Sequence, residues 1–135
     1  MKFNVRVYGI LIHDGKILLT KESRYGRTFT KFPGGGLEFG EGTKECLIRE
    51  FEEEFGLPIR VGELIYINDF YQASAFNKEA QVLSVYYYVF PIAQNFSPND
   101  LSIKEEIPVW IKLQDLTPEL LTFPIDKILV EKVTR

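Results

Sequence analysis

The residue pattern predicts an α/β fold in which a mixed β-sheet lies between helices. Two observations carry this. Several segments rich in β-branched and aromatic residues recur along the 135-residue chain, and two stretches show apolar residues at helical spacing, one centred near residue 50 and one at the C-terminus. At this length the chain is expected to form a single domain, residues 1–135, with one function.

Taken in order, Val5 to Ile12 and Lys16 to Lys21 read as hairpin strands around Asp14-Gly15, a turn dipeptide that favours positive φ at both positions. His13, the only histidine, sits beside that turn and reads as a turn residue. Lys21 to Phe32 reads as a basic and aromatic loop leading into the glycine run Gly34-Gly35-Gly36. A helix is expected over residues 44–55. Thr43 can cap its start, Gly56 and Pro58 stop it, and Leu47, Ile48, Phe51 and Phe55 form its apolar stripe. Ile59 to Tyr71 and Gln81 to Phe90 read as long strands joined through Asn77 and Lys78. Ile107 to Leu113 reads as a shorter strand and Gln114 to Leu121 as a helical turn. Pro124 then opens a helix whose stripe is Ile125, Ile128, Leu129 and Val133.

Within the first helix Glu50, Glu53 and Glu54 gather on a flank away from the apolar stripe, whereas Glu52 lies on another side. Carboxylates spaced i, i+3 and i, i+4 repel each other, and a hard divalent cation such as Mg²⁺ or Mn²⁺ would offset the repulsion through oxygen ligation. Arg49, one turn before Glu53, is placed to pair with a carboxylate and orient it. An acidic helix face is more often simply solvated, so the surrounding residues decide the reading.

Gly35, Glu41, Arg49, Glu50, Glu53, Glu54 and Gly56 stand at the spacing G-x5-E-x7-R-E-x-x-E-E-x-G. This pattern resembles the Nudix box. The resemblance implies an α/β/α sandwich and a metal-dependent hydrolase that cleaves a pyrophosphate linkage in a nucleoside diphosphate derivative, by attack of water on phosphorus. It implies Glu50, Glu53 and Glu54 as metal ligands, joined by the carbonyl of Gly34, with Glu41 supporting them. Phe51 departs slightly from the pattern, being aromatic where an aliphatic residue is usual. The general base is left open between a box glutamate and a later one, for which Glu105 and Glu106 are the candidates.

Substrate choice is expected outside the box. Lys21, Arg24, Arg27 and Lys31, interleaved with Tyr25 and Phe29, are candidates for phosphate contacts, Arg24 and Arg27 foremost, and Phe70, Tyr71 and Phe76 for an opposite wall or for contacts in a homodimer. The proline, coenzyme A and NADH signatures that mark particular Nudix branches are missing, so a nucleoside triphosphate and a nucleotide sugar both stand as substrates. A nucleotide-sensing domain without catalysis and an RNA-end pyrophosphohydrolase are the alternatives. The complete set of box glutamates argues against the first.

Composition narrows the rest. A net charge of −3 argues against a broad nucleic-acid surface and favours a small nucleotide as partner. No apolar run reaches membrane-spanning length, and the N-terminal residues lack the pattern of a signal peptide, so a cytoplasmic location is expected. Cys46, the single cysteine, excludes an intrachain disulfide and a cysteine zinc cluster, and reads as a small packing residue.

Overall fold

The computed structural model describes residues 2–134; Met1 and Arg135, the outer bounds of the expected domain, lie outside the described residues. Eight strands and two α-helices follow in the order β1 (Lys2–Ile10), β2 (Ile12–His13), β3 (Lys16–Arg24), β4 (Arg27–Lys31), β5 (Gly34–Gly36), α1 (Thr43–Phe55), β6 (Ile59–Ile67), β7 (Ala80–Pro91), β8 (Ile107–Lys112) and α2 (Pro124–Val133). The main sheet is mixed, ordered β5-β1-β7-β6, with β1 parallel to β7 and the other pairs antiparallel. A second sheet centres on β3, which takes β2 and then β4 along one edge and β8 along the other.

Alternation along β1 assigns its side chains to two cores. Val7 packs with Leu47, Phe51 and Phe55 of α1, whereas Tyr8 and Ile10 pack with Ile125, Leu129 and Val130 of α2. Both faces of the sheet are thereby buried, as in the expected sandwich of helix, sheet and helix.

Several details depart from the sequence reading. The segment after Lys21 is a hairpin and not a loop: β3 continues to Arg24, and Tyr25-Gly26 turns the chain with φ of 53° and 71°, the same geometry as Asp14-Gly15. An aromatic residue at positive φ is uncommon, which is why this turn goes unseen in the sequence. Second, β1 does not pair with β3. The chain changes sheets at Leu11, and only Ile12 and His13 complete the first hairpin. Third, β6 stops at Ile67 because the buried Asn68 takes over the ladder: its side chain accepts from the Ser84 N–H at 2.7 Å and donates to the carbonyls of Phe70 and Val82. Fourth, the expected helical turn at Gln114 to Leu121 is two separate 3₁₀ turns, Leu113–Asp115 and Pro118–Leu120, because Pro118 cannot continue the first.

Helix α1 starts at Thr43 with Gly42, not Thr43, in the capping position; the Glu45 carboxylate accepts the Gly42 N–H at 2.9 Å. Thr43 is instead engaged with the Tyr87 hydroxyl at 2.7 Å. Gly56 ends the helix in the left-handed region. The buried stripe is Cys46, Leu47, Phe51 and Phe55, and Ile48, expected in it, faces solvent.

Phe51 fills the space that Gly9 leaves on β1. A Cβ at Gly9 would stand 2.8 Å from the Phe51 ring and 3.1 Å from Val89. Gly9→Ala is expected to destabilise the protein by about 1 to 3 kcal/mol through overpacking, read as a lower urea midpoint with an unchanged m-value.

Candidate functional site

The glycine run is a strand, β5, and not a loop. Gly34, Gly35 and Gly36 lie opposite Tyr8, Val7 and Arg6 of β1. Absent side chains let this backbone fit between β1 and α1. A Cβ at Gly34 would meet the Val7 carbonyl oxygen at 2.0 Å, and one at Gly35 would stand 2.3 Å from the Glu50 carboxyl carbon. Gly35 is thus the seat of the Glu50 side chain.

Arg49 organises the acids around it. Its Nε and Nη2 donate to both oxygens of Glu41, at 3.0 and 2.7 Å, in a bidentate pair; Nη2 also donates to the Gly36 carbonyl at 3.1 Å. Nη1 donates to Glu50 at 3.0 Å and to Glu53 at 3.2 Å. The Arg49 bonds, with the Glu38 backbone N–H, hold the Glu41 carboxyl down to about 2. The same bonds, that to Glu41 first, raise the Arg49 pKa and keep it charged.

The three expected metal ligands differ in their partners. Glu50 and Glu53 each give an oxygen to Arg49, and among the described residues no group of three or more His, Cys, Asp or Glu side chains is arranged to enclose an ion. Glu54 differs. One of its oxygens is buried without a hydrogen-bond partner, and burial, then the nearby charges of Glu106 and Glu50, raise its pKa. Burial raises Glu50 as well, against the pull of Arg49. The partnerless carboxylate oxygen of Glu54, with the Glu50 and Glu106 charges acting on it, is donor chemistry that a hard divalent cation takes.

Of the two later glutamates, Glu105 is exposed and Glu106 is buried at 7% exposure, paired with Lys31 Nζ at 3.0 Å. Lys31 also lines a cavity of about 490 Å³ on the α2 side of the sheet, walled by Arg6 and Tyr8 of β1, Arg24 of β3, Phe76 and Phe123, with Tyr86 and Asp126 at its buried end. The Tyr86 hydroxyl donates to one Asp126 oxygen, and the other has no partner. Burial pushes the Asp126 carboxyl up to about 6 and raises the Tyr86 hydroxyl.

The sequence-based substrate residues divide. Arg24 lines this cavity with its guanidinium 4.5 Å from the centre of the Phe76 ring. Arg27 lines a smaller cleft beside Phe29 and Phe123. Phe70 and Tyr71 are exposed and line neither, whereas Phe76 lines both. Arg6, Tyr86 and Asp126 escaped the sequence reading. Asp126, two residues after the opening proline of α2, looks in sequence like an ordinary acidic residue in a helix's first turn.

The NUDIX domain model matches residues 2–132. The chain belongs to the Nudix family. Among solved structures it is similar to the ORF135 protein of E. coli, at 25% identity and a TM-score of 0.78 over 98% of this chain and 89% of that one. It is also similar to a MutT Nudix hydrolase from Burkholderia pseudomallei, at 24% identity and a TM-score of 0.74 over 98% and 99%. An ADP-ribose pyrophosphatase from Streptococcus suis follows at 19% identity and a TM-score of 0.61 over 98% and 92%. The last two are likenesses of fold. No helix among the described residues is long and apolar enough to cross a membrane.

The raised Glu54 pKa has a consequence for this Nudix domain without substrate. The folded protein holds the Glu54 proton more tightly than the unfolded chain, so ionised Glu54 costs stability once the pH has risen from its unfolded value near ~4.3 through the higher folded one. Glu54→Gln is expected to unfold at a higher temperature than the parent at pH 7 with chelator present. The difference should vanish near pH 4, as followed by circular dichroism melts.

Proposed function

We propose that this Nudix pyrophosphohydrolase splits the pyrophosphate linkage of a small nucleotide, a nucleoside triphosphate or a nucleotide sugar, with the help of Mg²⁺ or Mn²⁺. The observation that carries this reading is the partnerless, buried oxygen of Glu54, set among Glu50 and Glu106. Glu50, Glu53 and Glu54, with the carbonyl of Gly34, are the residues that would hold the ions. When bound, such a cation neutralises phosphate charge and acidifies a water molecule.

The chain's own groups do the rest. Arg49 gives Glu50 and Glu53 their orientation and is itself anchored by Glu41 and the Gly36 carbonyl. Either Glu54 or Glu106 accepts the proton of the attacking water. Burial and the charges of Glu106 and Glu50 raise the Glu54 pKa, which makes its carboxylate the stronger base. The cavity of about 490 Å³ lies within the ~300–1,000 Å³ range of small-molecule sites and takes the nucleoside end of the substrate. Tyr8, Phe76 and Phe123 offer aromatic faces, and the free oxygen of Asp126 accepts a hydrogen bond from an N–H or O–H of the ligand.

The decisive experiment measures release of phosphate, pyrophosphate and nucleoside monophosphate across a panel of nucleoside triphosphates and nucleotide sugars. Chelation should abolish turnover, and Mg²⁺ or Mn²⁺ should restore it; full activity without a divalent ion would remove the reading. Glu53→Gln and Glu54→Gln should each lower kcat by at least about a hundredfold, because a neutral amide neither balances the cation nor acidifies its water, whereas exposed Glu52→Gln should stay near the parent rate.

Arg24 and Arg27 are expected to differ in substrate binding. If Arg24 touches a phosphate from its place in the large cavity, Arg24→Ala loses a charge-assisted contact of roughly 1.5 to 3 kcal/mol and raises KM about tenfold or more with kcat little changed. Arg27→Ala, which empties only the smaller cleft, should shift KM less. Steady-state kinetics on the preferred substrate reads both.

A further inference from the structure

Lys31 and Glu106 form an ion pair at 3.0 Å whose two side chains are 4% and 9% exposed. Sheet register fixes where they meet. Thr20 of β3 lies opposite Lys31 on one edge and opposite Pro108 on the other, so Lys31 reaches across β3 to the residue just before β8. The contact is an ion pair without hydrogen-bond geometry, and the hydrogen bond of the Lys31 ammonium goes to the Phe32 carbonyl at 3.4 Å.

A buried ion pair adds little to stability compared with packed apolar side chains, so the fold alone gives weak reason for it. Its location supplies a better one. The segment that carries Glu106 lies against α1, where Lys104 Nζ donates to the Glu53 carbonyl at 2.6 Å, and the charges of Glu106 and Lys31 both reach Glu54. Without the ammonium, Glu106 would be a buried acid with no cation beside it, free to leave its place next to Glu54. Lys31 also lines the large cavity, which places this lysine between the cavity and the acids of α1.

We propose that Lys31 is a positioning residue for hydrolysis: its ammonium holds the buried Glu106 carboxylate in place beside the acids of α1. The inference rests on the function proposed above and goes beyond it. Lys31 acts through Glu106, so its removal should slow turnover more than it weakens substrate binding.

The test compares Lys31→Met, Lys31→Arg, Glu106→Gln and the double variant Lys31→Met/Glu106→Gln in full-length enzyme with Mg²⁺. Lys31→Met should lower kcat about tenfold or more with KM within about threefold of the parent, and Lys31→Arg should recover most of the rate. The double variant should be no more than about threefold slower than Glu106→Gln alone, since the two residues act as one unit. It also removes both buried charges, so it tests the idea even if Lys31→Met alone fails to fold. Melting temperatures in chelator should show the same non-additivity without reference to activity. A raised KM at unchanged kcat in Lys31→Met would make Lys31 a substrate contact and overturn the proposal, as would multiplicative rate losses in the double variant. Inactivity of the parent across the nucleotide panel would instead refute the proposed function, and the melting cycle would still decide whether Lys31 holds Glu106.

Discussion

One guanidinium organises the acidic end of this molecule. Arg49 meets Glu41 in the segment before α1, the carbonyl of Gly36 at the end of β5, and Glu50 and Glu53 on its own helix. Each bond fixes a different piece of chain to the same planar group, and the five donors of arginine make such multiple engagement possible where a lysine would serve one or two partners. The geometry of the acids follows from it. The same guanidinium holds Glu41 far below the usual carboxylate range, whereas burial raises Glu50 against its pull and raises Glu54 as well.

That arrangement sets carboxylates in places that folding alone disfavours. Burial penalises their charged forms, and Glu54 retains an oxygen with no partner. A site of this kind withholds stability from the free protein and makes it available to whatever cation or substrate compensates the charge. The Lys31–Glu106 pair, a buried cation against a buried acid beside the cavity, fits the same logic.

The two sides of the main sheet divide the labour. On the α1 side the side chains of β1 and the helix form an apolar core with Phe51 set against Gly9. On the α2 side Tyr8 and Tyr86 contribute to a second core and also line the cavity, so the aromatic residues that stabilise this half border the space assigned to the nucleoside. Alternation along a strand is enough to produce this division: neighbouring residues on β1 serve different layers.

The sequence by itself determined the α/β class, the boundaries of α1 to within a residue, the first hairpin turn and the box acids, because these are local. Helical spacing, a left-handed Gly56 and an Asp-Gly turn express their physics within a few residues. It also supplied the Nudix resemblance that the match over residues 2–132 establishes. Tertiary structure decided what depends on distant segments. It turned the expected loop after Lys21 into a hairpin, made the glycine run a strand against β1, exposed Ile48, and left Phe70 and Tyr71 outside the cavity. It brought Asp126 to Tyr86 and Lys31 to Glu106, pairs separated by 40 and 75 positions. No periodicity encodes such meetings; they arise from sheet order and from packing on both faces, and a buried charge acquires its meaning only once its neighbours are in place.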